Sequence, residues 1–382
     1  LSSSSAASDV YKRQDQTVNK ALYGLINWRI NEQWTTSLEG RYARDEISKG
    51  GTDVRVLGAN TYRQSYALDK TFSSFTPRWT LSYQARENVN LYGLVSKGNK
   101  PGGFNTDVYR ADFQEADRDA LIARGLNTYM EEEAWNYELG MKSDWLDGTL
   151  RINANLYQID WTNQQLTETG PVTRKNGSLF STSYTTNVGE SRIRGFELES
   201  QWAFAQGWLA SLAYSFTDAE ILKFISQDQA DLFSSSNAPT LADPAADAAG
   251  ATLPRVPKHK ATLGLMYDGA LSNGWEYTAN MDVNYEGKRY IQVDNLAYIG
   301  ASTRTNFRFS IRPTEQLQVS AYVTNAFNDR TLEDAQRTIN PDAYVAVPAV
   351  PPLTGLAVTN LRDFGLTPSL PRMYGVEVSY KF

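Results

Sequence analysis

From about residue 17 to its last residue the chain is written in period two. In residues 275–286, Trp275, Tyr277, Ala279, Met281, Val283 and Tyr285 occupy one parity, while Glu276, Thr278, Asn280, Asp282, Asn284 and Glu286 occupy the other. Successive strand residues point to opposite faces, so this stretch has one apolar face and one wholly polar face. Residues 303–312 repeat the pattern, with Thr303, Thr305, Phe307, Phe309 and Ile311 set against Arg304, Asn306, Arg308, Ser310 and Arg312. Residues 75–83 repeat it again through Phe75, Pro77, Trp79, Leu81 and Tyr83. Further copies lie near 18–30, 34–48, 89–98, 133–144, 149–162, 185–202, 208–222, 258–268, 317–327 and 372–382, which makes about thirteen strands.

The connections alternate in length. Short turns are expected at 31–33, 85–88, 145–148, 205–207, 270–274 and 313–316. Long polar connections are expected near 50–70, 99–132, 165–184, 223–257, 288–302 and 328–371. A hairpin meander with short turns at one end and long loops at the other is the plan of an outer-membrane barrel. Many strands approach the ten or so residues that cross a ~25 Å apolar band at ~40° tilt, longer than the usual strand of a soluble sandwich. Trp34, Tyr83, Trp145, Trp208, Tyr267 and Trp275 gather beside the short turns, where amphipathic rings favour the headgroup level. The expected fold is therefore all-β, an antiparallel transmembrane β-barrel.

Composition narrows the chemistry. Mean hydropathy is −0.47, and no apolar run approaches the roughly 18 residues of a membrane helix. With no Cys and one His, His259, the chain lacks thiol nucleophiles, disulfides and thiolate metal sites, and imidazole chemistry has a single residue to work with. No enzyme, cofactor or metal site is expected. The net charge of −6 disfavours a sequence-independent nucleic-acid binder. At the start, residues 1–14 (LSSSSAASDVYKRQ) lack Met and any apolar core, so they read as a non-native leader, with the barrel in 15–382. At the end, Tyr374, Val376, Val378, Tyr380 and Phe382 share one face and finish on an aromatic residue. This resembles the closing strand of bacterial outer-membrane proteins, which the barrel-assembly machinery reads.

Six segments carry a more specific likeness. LYGLVSKGNKPGGFN (91–105), EAWNYELGMKSDWLDGTLRINANLYQIDWTNQQ (133–165), NVGESRIRGFELES (187–200), VPKHKATLGLMY (256–267), VTNAFNDR (323–330) and LPRMYGVEVSYKF (370–382) occur in that order. Together they resemble the TonB-dependent outer-membrane receptors. The resemblance implies a barrel of about 22 strands around a plug domain, of which the thirteen strands here would be the C-terminal part, with about nine strands, the plug and a TonB box upstream. It implies residence in a Gram-negative outer membrane and active uptake of a scarce solute, foremost a ferric siderophore. Implied partners are the TonB–ExbB–ExbD complex, the barrel-assembly machinery, and outer-membrane lipid and lipopolysaccharide. A passive porin-like or carbohydrate-specific channel is the alternative.

On this reading Arg304, Arg308 and Arg312 line the lumen, Arg304 nearest the extracellular rim. Guanidinium groups suit an anionic chelate, or else they pair with plug or wall carboxylates such as Glu276 and Asp282. Two groups of loop residues, Tyr62, Arg63 and Tyr66, and Tyr109, Arg110 and Phe113, would stack on a siderophore or pack loops together. Gly102, Gly103, Phe104 and Asn105 are expected to shape a bend through glycine's positive φ. The acidic run with Asp112, Glu115, Asp117 and Asp119 lacks the Gly and terminal Glu of an EF-hand and reads as a solvated loop.

Overall fold

The computed structural model describes residues 13–225, 227–236, 242–347 and 357–382. Thirteen strands form one antiparallel sheet, each bonded to its neighbours in chain order. They are β1 (Arg13–Arg29), β2 (Trp34–Leu57), β3 (Asn60–Arg86), β4 (Val89–Lys100), β5 (Glu132–Trp145) and β6 (Leu150–Thr173). There follow β7 (Leu179–Ala205), β8 (Trp208–Phe224), β9 (His259–Ala270), β10 (Glu276–Glu286), β11 (Ser302–Arg312), β12 (Leu317–Thr324) and β13 (Met373–Tyr380). Strands β1 and β13 are the sheet edges, and among the described residues no ladder joins them.

Register turns the alternation into two continuous surfaces. Leu81, Gly93, Leu139, Leu156, Phe196 and Phe216 face one another across six strands. One residue along, Ser82, Tyr92, Gly140, Asn155, Glu197 and Ser215 make a row on the opposite face. Among the described residues nothing covers the apolar face: Leu139 is 68% and Leu156 59% exposed. A continuous apolar wall of this kind is unstable in water and stable against lipid. Among the described residues no helix is long and apolar enough to cross a membrane.

The short-turn edge carries the expected aromatic belt. Trp202, Phe204, Trp208, Tyr267, Tyr277 and Phe309 follow one another at centroid distances of 5.5, 5.8, 4.7, 5.7 and 6.0 Å. Trp34 stacks on Tyr83 at 4.5 Å, and Trp145 donates its indole N–H to Ser143 Oγ at 2.9 Å. The turns themselves are set by local chemistry. Asn31 Oδ1 accepts from the backbone N–H of Gln33 and Trp34, both at 2.9 Å. Leu146, Asp147 and Gly148 form a left-handed run with φ of 51°, 54° and 83°.

Two expected loops are strands. Strands β2 and β3 run through 50–70 to a tight turn at Gly58, and β6 and β7 run through 165–184 to a turn containing Gly177. The backbone ladder continues there, but apolar residues are sparser above the apolar band, so the alternating signal is lost while the pairing persists. Residues 348–356 of the 328–371 connection lie outside the described residues, between two strands, Asp334–Val347 and Ala357–Thr367, that pair with each other. Residues 1–12 of the expected leader also lie outside them, whereas Arg13 and Gln14 belong to β1 and pair with Gly51 and Gly50.

Candidate functional site

At the long-loop end the connection between β4 and β5 is folded rather than extended. It contains a 3-10 turn (Thr106–Tyr109) and helix α1 (Glu115–Ala123). Val108, Phe113 and Leu121 from this connection close a small core with Val172 of β6 and Tyr184 of β7. The β2–β3 hairpin supports its other side: Asp53 accepts from Ala111 N–H at 2.9 Å, Arg118 donates to Gln64 at 2.8 Å, and Tyr109 stacks on Tyr66 at 5.5 Å. The connection is thus a cap bonded to two hairpins.

Its strongest joint is a charge cluster. Arg110 grips the buried Asp112 carboxylate with both Nε and Nη2, at 3.1 and 3.0 Å, and Arg174 of the β6–β7 turn reaches the same carboxylate at 3.2 Å. Both guanidinium groups lie on the Phe180 ring, at 4.3 and 4.0 Å from its centroid. One carboxylate between two guanidinium groups over an aromatic face needs no further ligand to be satisfied. Two more carboxylates of the acidic run are engaged. Asp117 accepts from Thr173 N–H at 2.6 Å, and Asp119 pairs with Arg118 at 3.2 Å. Among the described residues no group of three or more His, Cys, Asp or Glu is placed to hold a metal ion.

The GGFN segment anchors the cap for a different reason from the one expected. Neither Gly102 nor Gly103 has positive φ. A Cβ on Gly102 would lie 2.3 Å from Phe72 Cε1 and from Tyr129 O, and one on Gly103 would lie 2.4 Å from Tyr129 Oη. Absence of a side chain is what the site requires. Phe104 is buried, and Asn105 ties the chain down, donating to Leu126 O at 2.9 Å and Thr185 O at 2.7 Å while accepting from Thr185 N–H at 2.9 Å.

The arginine stripe is on the polar face, and each member has a carboxylate. Arg304, nearest the long loops, meets Glu333 at 2.9 Å; Arg308 meets Glu377; Arg312 meets Glu276 at 2.9 Å. Asp282 instead accepts from Asn284 and Asn306 at 2.8 and 2.6 Å. Near Arg304, Arg255 forks onto both oxygens of Asp334 at 3.0 and 2.9 Å, which holds that carboxyl below the usual carboxylate range.

Of the expected loop residues, Phe113 is fully buried and Tyr109 and Arg110 pack within the cap. Tyr62 and Tyr66 share the polar parity, with Lys175 Nζ 5.1 Å over the Tyr62 ring, whereas Arg63 projects from the opposite face of β3. His259 opens β9 and bonds Tyr214 Oη through Nδ1 at 2.9 Å. Two features had no sequence signal of their own. One is the Arg174–Phe180 half of the charge cluster. The other is Lys288, whose Nζ lies 4.5 and 4.8 Å from the rings of Tyr290 and the exposed Tyr298. The VTNAFNDR segment did have one: Asn325, at φ 49°, donates to Asp329 O and Leu370 O at 2.8 and 3.0 Å and fixes the exit from β12.

The model of the "TonB dependent receptor-like, beta-barrel" family matches residues 2–326. The probable TonB-dependent siderophore receptor PiuA of Acinetobacter baumannii is 22% identical over 332 residues, covering 84% of this chain and 40% of that protein. The pesticin receptor of Yersinia pestis is 24% identical over 315 residues, covering 81% and 39%. In structure, the ferric yersiniabactin uptake receptor FyuA of Yersinia pestis superposes with a TM-score of 0.69 at 18% identity, over 97% of this chain and 46% of that one. The siderophore receptor PiuA gives 0.65 at 18% identity, over 97% and 44%. The chain thus spans about two fifths of the length of these two curated relatives. With the family model covering most of its length, the chain belongs to the TonB-dependent receptor β-barrel family.

Proposed function

We propose that this chain supplies barrel wall and extracellular caps to an outer-membrane receptor that takes up a ferric siderophore with energy delivered through TonB, ExbB and ExbD. The observation that carries the reading is membership of the receptor family, joined to relatives named as siderophore and ferric-chelate receptors. The polar inner face supports it, because a hydrated solute needs hydrogen-bonding walls along its route. Tyr62, Arg304 and Arg308 are retained as solute contacts, since they stand half-exposed at the lumenal parity. Tyr66, Tyr109, Arg110 and Phe113 serve by holding the cap that shapes the mouth. Barrel-assembly machinery would read the terminal Phe382.

The test is a panel of ferric chelates and oligosaccharides titrated against the protein in outer-membrane vesicles, read by tryptophan fluorescence. Saturable binding of one ferric chelate is expected. Arg304→Gln with Arg308→Gln should weaken it by about 1.5–3 kcal/mol for each charged hydrogen bond lost. Tight binding of an oligosaccharide with no chelate affinity would replace this reading with the carbohydrate-channel one.

A further inference from the structure

At the root of the β12–β13 connection two neighbouring carboxylates are held in different ways. Asp334 accepts from Arg255 Nη1 on both oxygens, at 3.0 and 2.9 Å. Glu333 meets Arg304 through Oε1 at 2.9 Å, and its side chain is 45% exposed. An ion pair so open to water contributes little and is readily exchanged. Arg304 is not fully used by it: Nη2 reaches Thr331 O at 3.4 Å, and Nε is buried without a hydrogen-bond partner.

The backbone beneath the Glu333 side chain is clamped from both sides. Glu333 N–H donates to Thr367 O at 2.9 Å, and its carbonyl accepts from Arg289 Nη2 at 2.5 Å. Arg289 is fixed in turn by Glu286 at 3.1 Å. The side chain can therefore leave Arg304 without the root of the connection moving.

We infer that the Glu333 carboxylate is a resident counter-ion of Arg304 that is exchanged for the acidic group of an arriving solute. Glu333 thereby determines specificity: a solute gains Arg304 only if its acid binds guanidinium better than one half-exposed carboxylate does. An acid that offers two free oxygens meets that condition through a fork, and an uncharged group does not. Exchange leaves the Glu333 carboxylate in water, where its exposure already places it, so no charge is stranded in the wall. The inference rests on the uptake reading above, in which Arg304 is a solute contact, and the experiment separates the two.

The probe is malonate, a dicarboxylate, compared with uncharged malonamide at equal ionic strength on the protein in outer-membrane vesicles. Phenylglyoxal labels accessible guanidinium groups, and peptide mass spectrometry reads the rate at Arg304 relative to the exposed Arg330. Malonate should slow labelling of Arg304, and malonamide should not. Glu333→Gln should speed labelling without malonate by about 2- to 5-fold and lower the half-protecting malonate concentration by the same factor. Hydrogen exchange over 331–336 should stay as it is, because the backbone bonds of Glu333 remain. No relative slowing by malonate, or a half-protecting concentration that Glu333→Gln leaves unchanged, overturns the inference. Faster exchange over 331–336 in Glu333→Gln also overturns it, by giving the side chain a structural role. The uptake reading fails on a different result, a panel in which no ferric chelate binds, and the malonate comparison still decides the exchange.

Discussion

The two halves of each long strand in this sheet obey the same ladder but are stabilised by different means. Beside the short turns, one face is apolar, exposed and belted by rings from Trp202 to Phe309. Beside the long loops, both faces are mixed, and the structure is held by a cap core around Phe113 and by the Asp112 cluster. The first half needs lipid to complete it, while the second completes itself with buried contacts in water. A substitution should therefore have opposite consequences in the two halves.

The largest effect is expected at Phe113. Phe113→Ala empties a fully buried position and should weaken cap docking by about 3–5 kcal/mol. Hydrogen exchange should then rise across α1 and the 3-10 turn while the ladder near Leu156 keeps its protection; uniform loosening of the sheet would merge the two halves. Next comes a charge in the band. Leu156→Arg should cost about 2–4 kcal/mol in reversible folding into vesicles, whereas Thr167→Arg, on the same strand above the band, should stay within about 0.5 kcal/mol. Equal costs would mean that the band does not border lipid.

Asn105→Ala should come third, at about 1–3 kcal/mol, because it strands the Thr185 N–H and the carbonyls of Leu126 and Thr185. Faster proteolysis at Arg118 and Arg124, with unchanged barrel content, is the expected readout. The smallest effect is one of pH. The Asp334 carboxyl is held low by Arg255, so its pairing stabilises the folded segment at any pH above the ordinary carboxylate range. That contribution fades as pH falls through the lowered value. Asp334→Asn should remove this acid sensitivity from exchange at 330–336, and a variant that kept it would assign the titration elsewhere.

The same contrast explains what could be read from the sequence. In 275–286 and 303–312 one parity is apolar because lipid demands it, so strand, face and membrane placement were visible together. In 50–57 and 165–173 apolar residues are few, among them Val54, Val56, Leu166 and Val172, and only the ladder shows that the strands continue. The order of family motifs located the GGFN and VTNAFNDR joints. It did not show that Gly102 is there for lack of space beneath Phe72 and Tyr129, since a clash belongs to residues distant in sequence. Likewise Arg110 and Phe113 left two readings open, stacking on a solute or packing loops together, and the packing partners are Arg174 and Phe180, some sixty residues on. Arg63 was grouped with Tyr62 and Tyr66 by proximity, and its odd position on β3 puts it on the other face.

The central claim is that one parity of this sheet meets lipid and the other meets water. The chain contains no Cys, so single cysteines can be placed from Arg151 to Leu156 in turn and tested in vesicles with a membrane-impermeant thiol reagent. The account predicts strict alternation, with labelling at Arg151→Cys, Asn153→Cys and Asn155→Cys and protection at Ile152→Cys, Ala154→Cys and Leu156→Cys. Labelling at every position, or none that follows period two, would contradict it.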